Sequence, residues 1–248
     1  MFQPLMKYIR EVAATVDVFC LQEVFSTLTK RKWTKDKSGR CSLFSDISSI
    51  LPEFRGVFHA DSDGYDRNGP VEYDLCWGLA TFVRSGIPVL NYGDMFVFGT
   101  RNIGFPHFPF PTARNMQFIE VEQRRHRTLV LNMHGLWNGN GKMDTPERIE
   151  QSRIVRWLMS QYTGSRKVLC GDFNLNPGTK SLYMLERAGR GMRNLITENG
   201  ITSTRSPLYQ KSGKYADYVL VSPNIRVKSF RVENVEVSDH LPLIVEIE

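Results

Sequence analysis

Twice along this chain an amphipathic helix runs into a short apolar strand, and both strands end on an acidic residue. Residues 5–14 (LMKYIREVAA) place Leu5, Ile9 and Val12 close to helical spacing, and VDVFCLQEV at 16–24 follows as a buried strand ending on Gln22 and Glu23. Later, Asp144-Thr-Pro-Glu147 marks a helix start, with Pro146 in the first turn and a capping Asp or Thr before it. Ile154, Trp157, Leu158 and Gln161 then predict one mostly apolar helix face, and Lys167-Val-Leu-Cys170 a second buried strand ending on Gly171-Asp172-Phe173-Asn174. Such alternation restricts the chain to an α/β architecture, in which loops leaving the strand ends form the functional crevice.

Further strands are expected at 75–84, 94–98, 115–122, 128–134, 216–222, 225–233 and 241–247, with 115–122 and 128–134 forming a hairpin and a shorter helix over 179–188. Segment 99–113, carrying Pro106, Pro109 and Pro111, reads as a loop. This many strands favours two packed sheets flanked by helices. No low-complexity linker or composition break divides the chain, so one domain over 1–248 is expected.

Of the chain's residues 41% are hydrophobic and 23% charged, an ordinary globular composition that excludes disorder and coiled coil. No apolar run approaches the roughly 18 residues of a membrane span, and the first twenty residues show no secretory signal pattern. With Met1 as the true start, the expected location is the cytoplasm. The four cysteines, Cys20, Cys41, Cys76 and Cys170, form no CxxC and no zinc spacing with histidine, and Cys20 and Cys170 read as small buried hydrophobes. No G-x-S-x-G, P-loop or G-x-G-x-x-G is present, which removes serine hydrolase, P-loop NTPase and dinucleotide enzyme as first readings.

The formal net charge is +6, and all of it lies in residues 121–248. That suits an anionic partner, although a solvated basic surface would look the same. Two basic runs stand out. Arg124, Arg125 and Arg127 lie between two strands and read as a hairpin tip, whereas Lys30, Arg31, Lys32, Lys35, Lys37 and Arg40 follow the Glu23 strand and suit substrate contact better.

Several strand edges break from apolar residues into acid, amide or imidazole: Gln22-Glu23, Asn132 and His134, Asp172 and Asn174, Asp217, and Ser238-Asp239-His240. A lone buried His or Asp is usually a hydrogen-bonded structural group. A set of them at strand edges is harder to explain that way, because burying several carboxylates together needs a cation or a proton. The chemistry they suggest is metal-assisted hydrolysis. Carboxylates suit Mg2+ or Mn2+, an Asp beside an Asn can activate water, and a His held by a second carboxylate can donate to a phosphoryl oxygen.

These residues, in order and spacing, resemble the endonuclease/exonuclease/phosphatase superfamily, which has the DNase I-like fold. The resemblance rests on LQEV at 21–24, GLATFVRSGIPV at 78–89, NMHG at 132–135, GDFN at 171–174, YADYVLVS at 215–222 and SDHLPL at 238–243. It implies a four-layer α/β sandwich and Mg2+-dependent hydrolysis (Mn2+ as a substitute) of a phosphodiester or phosphomonoester. By position, Glu23 and Asp239 resemble the metal-side carboxylates, Asp172 the activator of water, and Asn174 the residue orienting the phosphate or that aspartate. His134 and His240 resemble the histidines at the phosphate, Asp217 the carboxylate paired with His240, and Arg114 a phosphate-contacting arginine. The implied partner is a phosphate ester, either nucleic acid or a phospholipid or small phosphodiester, with Trp33 and the loop 136–141 as further contacts. A monomer without an obligate protein partner is expected. One element of the family pattern has no counterpart: a central strand bearing an asparagine ahead of the first helix, where Met1 already stands. The expectation is therefore a start upstream of Met1, and a non-catalytic binding module of the same fold is the alternative reading.

Overall fold

In the computed structural model, residues 1–66, 68–103, 112–139 and 141–248 are described. Helix α1 (Phe2–Val12) leads into β1 (Val18–Ser26), and after a long loop come α2 (Leu43–Ile50), β2 (Phe54–Asp63), the short pair β3 (Tyr65–Asp66) and β4 (Gly69–Pro70), β5 (Cys76–Arg84) and β6 (Val89–Phe98). A hairpin of β7 (Arg114–Gln123) and β8 (His126–His134) precedes α3 (Pro146–Gln161), β9 (Arg166–Asp172) and α4 (Lys180–Glu186). The chain then runs through β10 (Arg193–Asn194), α5 (Leu195–Glu198), β11 (Asp217–Val221), β12 (Val227–Val232) and β13 (Leu243–Ile247). The loop read over 99–113 lies largely outside the described residues, its three prolines included, as does Asn140 of the 136–141 loop.

Strand alternation decides the layers. Leu129, Leu131 and Met133 of β8 point to one face, where they pack with Val155, Leu158 and Met159 of α3 and Leu182 and Leu185 of α4. Asn132 and His134 therefore point to the opposite face, toward the second sheet. That sheet packs its own outer face on α1 and α2, through Met6, Ile9, Phe19, Ile47, Leu51 and Phe82. The result is helices, sheet, sheet, helices: the expected four-layer α/β sandwich.

The larger sheet has the order β10-β11-β9-β8-β7-β6, with β8 and β9 parallel and its other neighbours antiparallel. The second layer is β1-β5-β2, and the hairpin β12-β13 packs on Val168, Val219 and Val221 of the larger sheet. Among the described residues β1 pairs only with β5, and β13 only with β12. Between the sheets part of the contact is apolar (Val83, Ile119, Val121) and part is a polar network. Thr81 Oγ1 donates to Gln117 Oε1 at 2.7 Å, and Gln22 Nε2 to Asn132 Oδ1 at 2.6 Å. No described helix is long and apolar enough to cross a membrane.

Most expected elements are present. Thr145 caps α3 by accepting from Arg148 N, with Pro146 at its first position, and Arg124 and Arg125 adopt φ of 50° and 65° at the β7–β8 turn. The face assigned to α3 needs correction. Trp157 points outward at 55% exposure, and the buried stripe runs through Arg148, Gln151, Ser152, Val155, Leu158 and Met159. Polar side chains occupy its first turns because they tie down the loop before the helix: Arg148 donates to the carbonyls of Leu136, Met143 and Gly141. Cys20 and Cys170 are half buried rather than fully so, and Cys20 is held above the usual thiol range by contact with Cys170 and by burial.

Candidate active site

Three strand ends converge at one edge of the larger sheet. The parallel register sets His134 beside Asp172, and the antiparallel register sets Asp217 opposite Asp172 on its other side. His134, Asp172 and Asp217 thus occupy one row across β8, β9 and β11. Gly171 makes this register possible. Its φ is 127°, and a Cβ there would lie 2.1 Å from the Met133 carbonyl oxygen.

His240 comes from the loop before β13 and is docked by an isolated bridge to Arg205. Its Nδ1 lies 2.8 and 2.9 Å from the two Asp217 carboxylate oxygens, and its Nε2 lies 3.7 Å from Asp172 Oδ2 and 3.9 Å from Asp239 Oδ2. Thr204 Oγ1 also donates to Asp217 Oδ2 at 2.9 Å. Burial opposes a charge on His240, but the Asp217 carboxylate and hydrogen bond, with Asp172 beyond, outweigh it and push its pKa up to about 9. Burial raises Asp217 as well, so both partners are pulled toward holding the proton that lies between them.

Asp172 is held below the usual carboxylate range: burial would raise it, and the His240 charge and the surrounding cations outweigh that. Its Oδ1 accepts from Asn174 N at 2.8 Å. Asn174 itself sits at φ 51° and donates Nδ2 to the Gly135 carbonyl at 3.2 Å, closing the turn against the end of β8. An asparagine tolerates this left-handed backbone better than most residues.

His134 faces the opposite regime. Burial first, then the nearby Arg114 charge, lowers its pKa to about 3, so it is a neutral imidazole. Its Nε2 lies 3.9 Å from Glu23 Oε1, its ring meets Trp77 edge-on at 5.8 Å, and its Nδ1 is buried without a hydrogen bond. Glu23 owes its position to an irregularity in the β1–β5 register between Leu21 and Val24, and its φ is 56°. Arg114 is 4% exposed and stacks 5.1 Å from Trp77. It donates to the carbonyls of Gly135 and Ala113 and to Thr112 Oγ1, while its Nη2 makes no hydrogen bond among the described residues.

Asp239 extends the site outward. Its Oδ2 accepts from Arg205 Nη1 at 2.9 Å, and Arg205 in turn stacks 4.1 Å over Tyr209. The structure thus links Asp172, Asn174, Asp217, His240 and Asp239 on one side, and Glu23, His134 and Arg114 on the other. Arg205, Thr204, Lys142 and Asp61 belong to the same neighbourhood and carried no periodicity or motif by which the sequence would single them out. Lys142 donates Nζ to the Tyr215 carbonyl at 2.7 Å, and burial lowers its pKa to about 8 despite Asp172 nearby. Asp61 is 1% exposed and accepts from Asn115 N at 3.0 Å, and burial raises its pKa to about 7 against the pull of Arg114.

Asp172, Asp217 and His240 each bring a potential ligand atom within 4.8 Å of the others. Within this set His240 Nδ1 is already taken up by the Asp217 carboxylate at 2.8 and 2.9 Å, which makes the three a hydrogen-bonded unit. Glu23 and Asp239 are further residues that could hold a divalent ion. Both present half-exposed carboxylates, oxygen donors suited to an ion that keeps several of its waters.

Comparison with known proteins agrees with this layout. The family model described as Endonuclease/Exonuclease/phosphatase family matches residues 2–240. Among solved structures, a mannosyl-6-phosphatase from Bacteroides thetaiotaomicron superposes with a TM-score of 0.71 at 19% identity, covering 100% of this chain and 91% of that one. The human Nocturnin catalytic domain gives 0.68 at 16% identity, covering 100% and 86%. TDP2 of D. rerio complexed with a single-strand DNA product gives 0.62 at 14% identity, covering 99% and 92%. At these identities the structures show a shared fold. No curated protein matches at a significant level. With its four layers, its row of strand-end carboxylates and a family match over nearly all its length, the chain belongs to the endonuclease/exonuclease/phosphatase family, whose members hydrolyse phosphoesters.

Proposed function

We propose that this chain is a Mg2+-dependent phosphoester hydrolase in which water attacks phosphorus in line. The observation that carries the reading is the Asp172–His240–Asp217 unit, with a 2.8 Å contact from His240 Nδ1 to Asp217 and Nε2 left to face Asp172 and the site. Asp172, kept ionised, accepts the proton of the attacking water, and Asn174 holds the turn that aims it. Protonated His240 donates from Nε2 to a phosphoryl oxygen as charge builds there, and Asp217 holds its ring in place. Neutral His134 and the unused Nη2 of Arg114 offer further donors to the phosphate. Glu23 and Asp239 would hold the metal ion, which neutralises phosphate charge and stabilises the leaving oxygen when bound.

The substrate class follows the same chemistry: a phosphodiester or phosphomonoester, in nucleic acid, phospholipid or a small molecule. One of the solved relatives carries a phosphatase name and another holds a single-strand DNA product, which supports keeping small-molecule and nucleic-acid esters among the candidate substrates. The protein is read as a monomer needing no protein partner.

The test is Mg2+-dependent hydrolysis of supercoiled plasmid, abasic duplex, single-stranded RNA, sphingomyelin, phosphoinositide and bis-p-nitrophenyl phosphate. Asp172→Asn and His240→Ala are each expected to lower the rate by roughly 100- to 10,000-fold. Activity that survives both substitutions overturns the site assignment, and activity on none of the substrates overturns the enzymatic reading.

A further inference from the structure

The loop that follows β1 is built as a fixed basic tip. Its start is fastened to the loop ahead of β5: Thr27 Oγ1 donates to Asp74 Oδ1 at 2.8 Å and Leu28 N to Asp74 Oδ2 at 2.7 Å. Its neck is closed by Cys41 N donating to the Lys32 carbonyl at 3.0 Å. Within it, Thr34 N donates to the Gly39 carbonyl and Gly39 N to Thr34 Oγ1, both at 2.9 Å, and Lys37 takes a φ of 60° at the turn.

The cations of this loop divide into two sets. Both arginines have internal partners: Arg31 stacks 4.3 Å from Tyr73, and Arg40 donates to Asp46 at 2.6 and 3.0 Å. Lys30, Lys32, Lys35 and Lys37 are all exposed and form no ion pair among the described residues. The one acid of the loop, Asp36, is engaged by Thr34, Asn68 and Ser38, whose hydrogen bonds hold its carboxyl well below the usual range. Leu28, two residues before Lys30, stands 97% exposed.

We propose that this tip docks the protein on an anionic phospholipid bilayer. Four ammonium groups on flexible stems suit a diffuse sheet of negative headgroups, and an exposed aliphatic side chain at the start of the same loop can enter the acyl boundary. Nucleic acid is the weaker match for the same residues. Of the guanidinium groups that would grip phosphate bidentately, Arg40 is taken by Asp46 and Arg31 lies over Tyr73, Leu28 has no π-face for a base, and Trp33, 38% exposed, packs with Phe2 and Arg40. The proposal concerns where the protein sits and holds whichever ester it cleaves.

Sedimentation with vesicles tests it on the whole chain. Binding is expected to phosphatidylcholine vesicles containing about 30% phosphatidylserine, with none to phosphatidylcholine alone and loss in about 0.5 M NaCl. Lys35→Glu with Lys37→Glu should weaken binding by at least roughly tenfold, and Leu28→Ser by roughly three- to tenfold. Neither change should alter the melting temperature, so loss of binding cannot be ascribed to unfolding. Vesicle binding that is absent, or equal in all variants, overturns the proposal. So does binding of single-stranded DNA or RNA, at the same salt, in place of vesicles. Failure of hydrolysis leaves the vesicle result readable, because binding is measured without turnover.

Discussion

His240 keeps its proton because Asp217 stands on one side of its ring and Asp172 on the other, and this has a consequence that pH can read. Its pKa is raised from 6.5 to about 9 in the folded protein, so the native state binds the proton more tightly than the unfolded chain. The resulting stabilisation is fully present below pH 6.5 and is lost as pH rises through about 9. Thermal melts should therefore fall over that window, and His240→Ala should flatten the fall. If His240 donates to phosphate, the rate should decline over the same upper limb. The residues of this unit were legible in the sequence because each interrupts or borders an apolar strand run. Asp61, Lys142, Thr204 and Arg205 were not, since each lies in a stretch whose polarity matches an ordinary loop or exposed strand end. Only the pairing of distant strands and the bridge between Arg205 and His240 bring them to the site.

At the scale of elements, β9 delivers Asp172 only if β8 can approach closely at Gly171. A Cβ there would lie 2.1 Å from the Met133 carbonyl, on a backbone with φ of 127°. Gly171→Ala should cost about 3 kcal/mol or more, seen as a lowered denaturation midpoint, whereas Gly164→Ala, with nothing within 4 Å, should change stability by only a few tenths. The helix–strand units around β1 and β9 and the β7–β8 hairpin were readable from periodicity and from Thr145-Pro146. Besides the short β3, β4, β10 and α5, two longer elements were not anticipated. In α2, LFSDISSI is dense in serine and buries only Ile47, and in β2 most residues are half exposed, so neither carries a strong periodic signal. Both are settled by packing, α2 through the Phe82 and Leu51 cluster and β2 through its ladder with β5. The α3 face was misjudged for the converse reason: its inner side is chosen by the loop it must bind as much as by hydrophobicity.

For the whole molecule, the relation between the two sheets rests partly on hydrogen bonds. Gln117 Nε2 donates to the carbonyls of Val57 and Leu79, both at 3.1 Å, while its Oε1 accepts from Thr81. Gln117→Ala would leave several buried groups without partners and should cost about 2–4 kcal/mol in chemical denaturation, more than its lost apolar contact explains. This polar seam favours one relative placement of the layers, because sliding them would break it, and so holds Glu23 on one sheet opposite His134 on the other. The same arrangement exposes a limit. Among the described residues strand β1, which carries Glu23, has a ladder on one side alone. Along such a strand successive amides alternate between a bonded and an outward-facing position. Deuterium should therefore enter β1 at every second amide within the first moments of exchange, while β5, paired on both sides, fills slowly and evenly. If Val18 to Leu21 instead exchange as uniformly as β5, the outer edge of β1 is protected in solution. With the alternation in place, the Glu23 carboxylate is carried by an edge strand, where opening needs the loss of a single ladder.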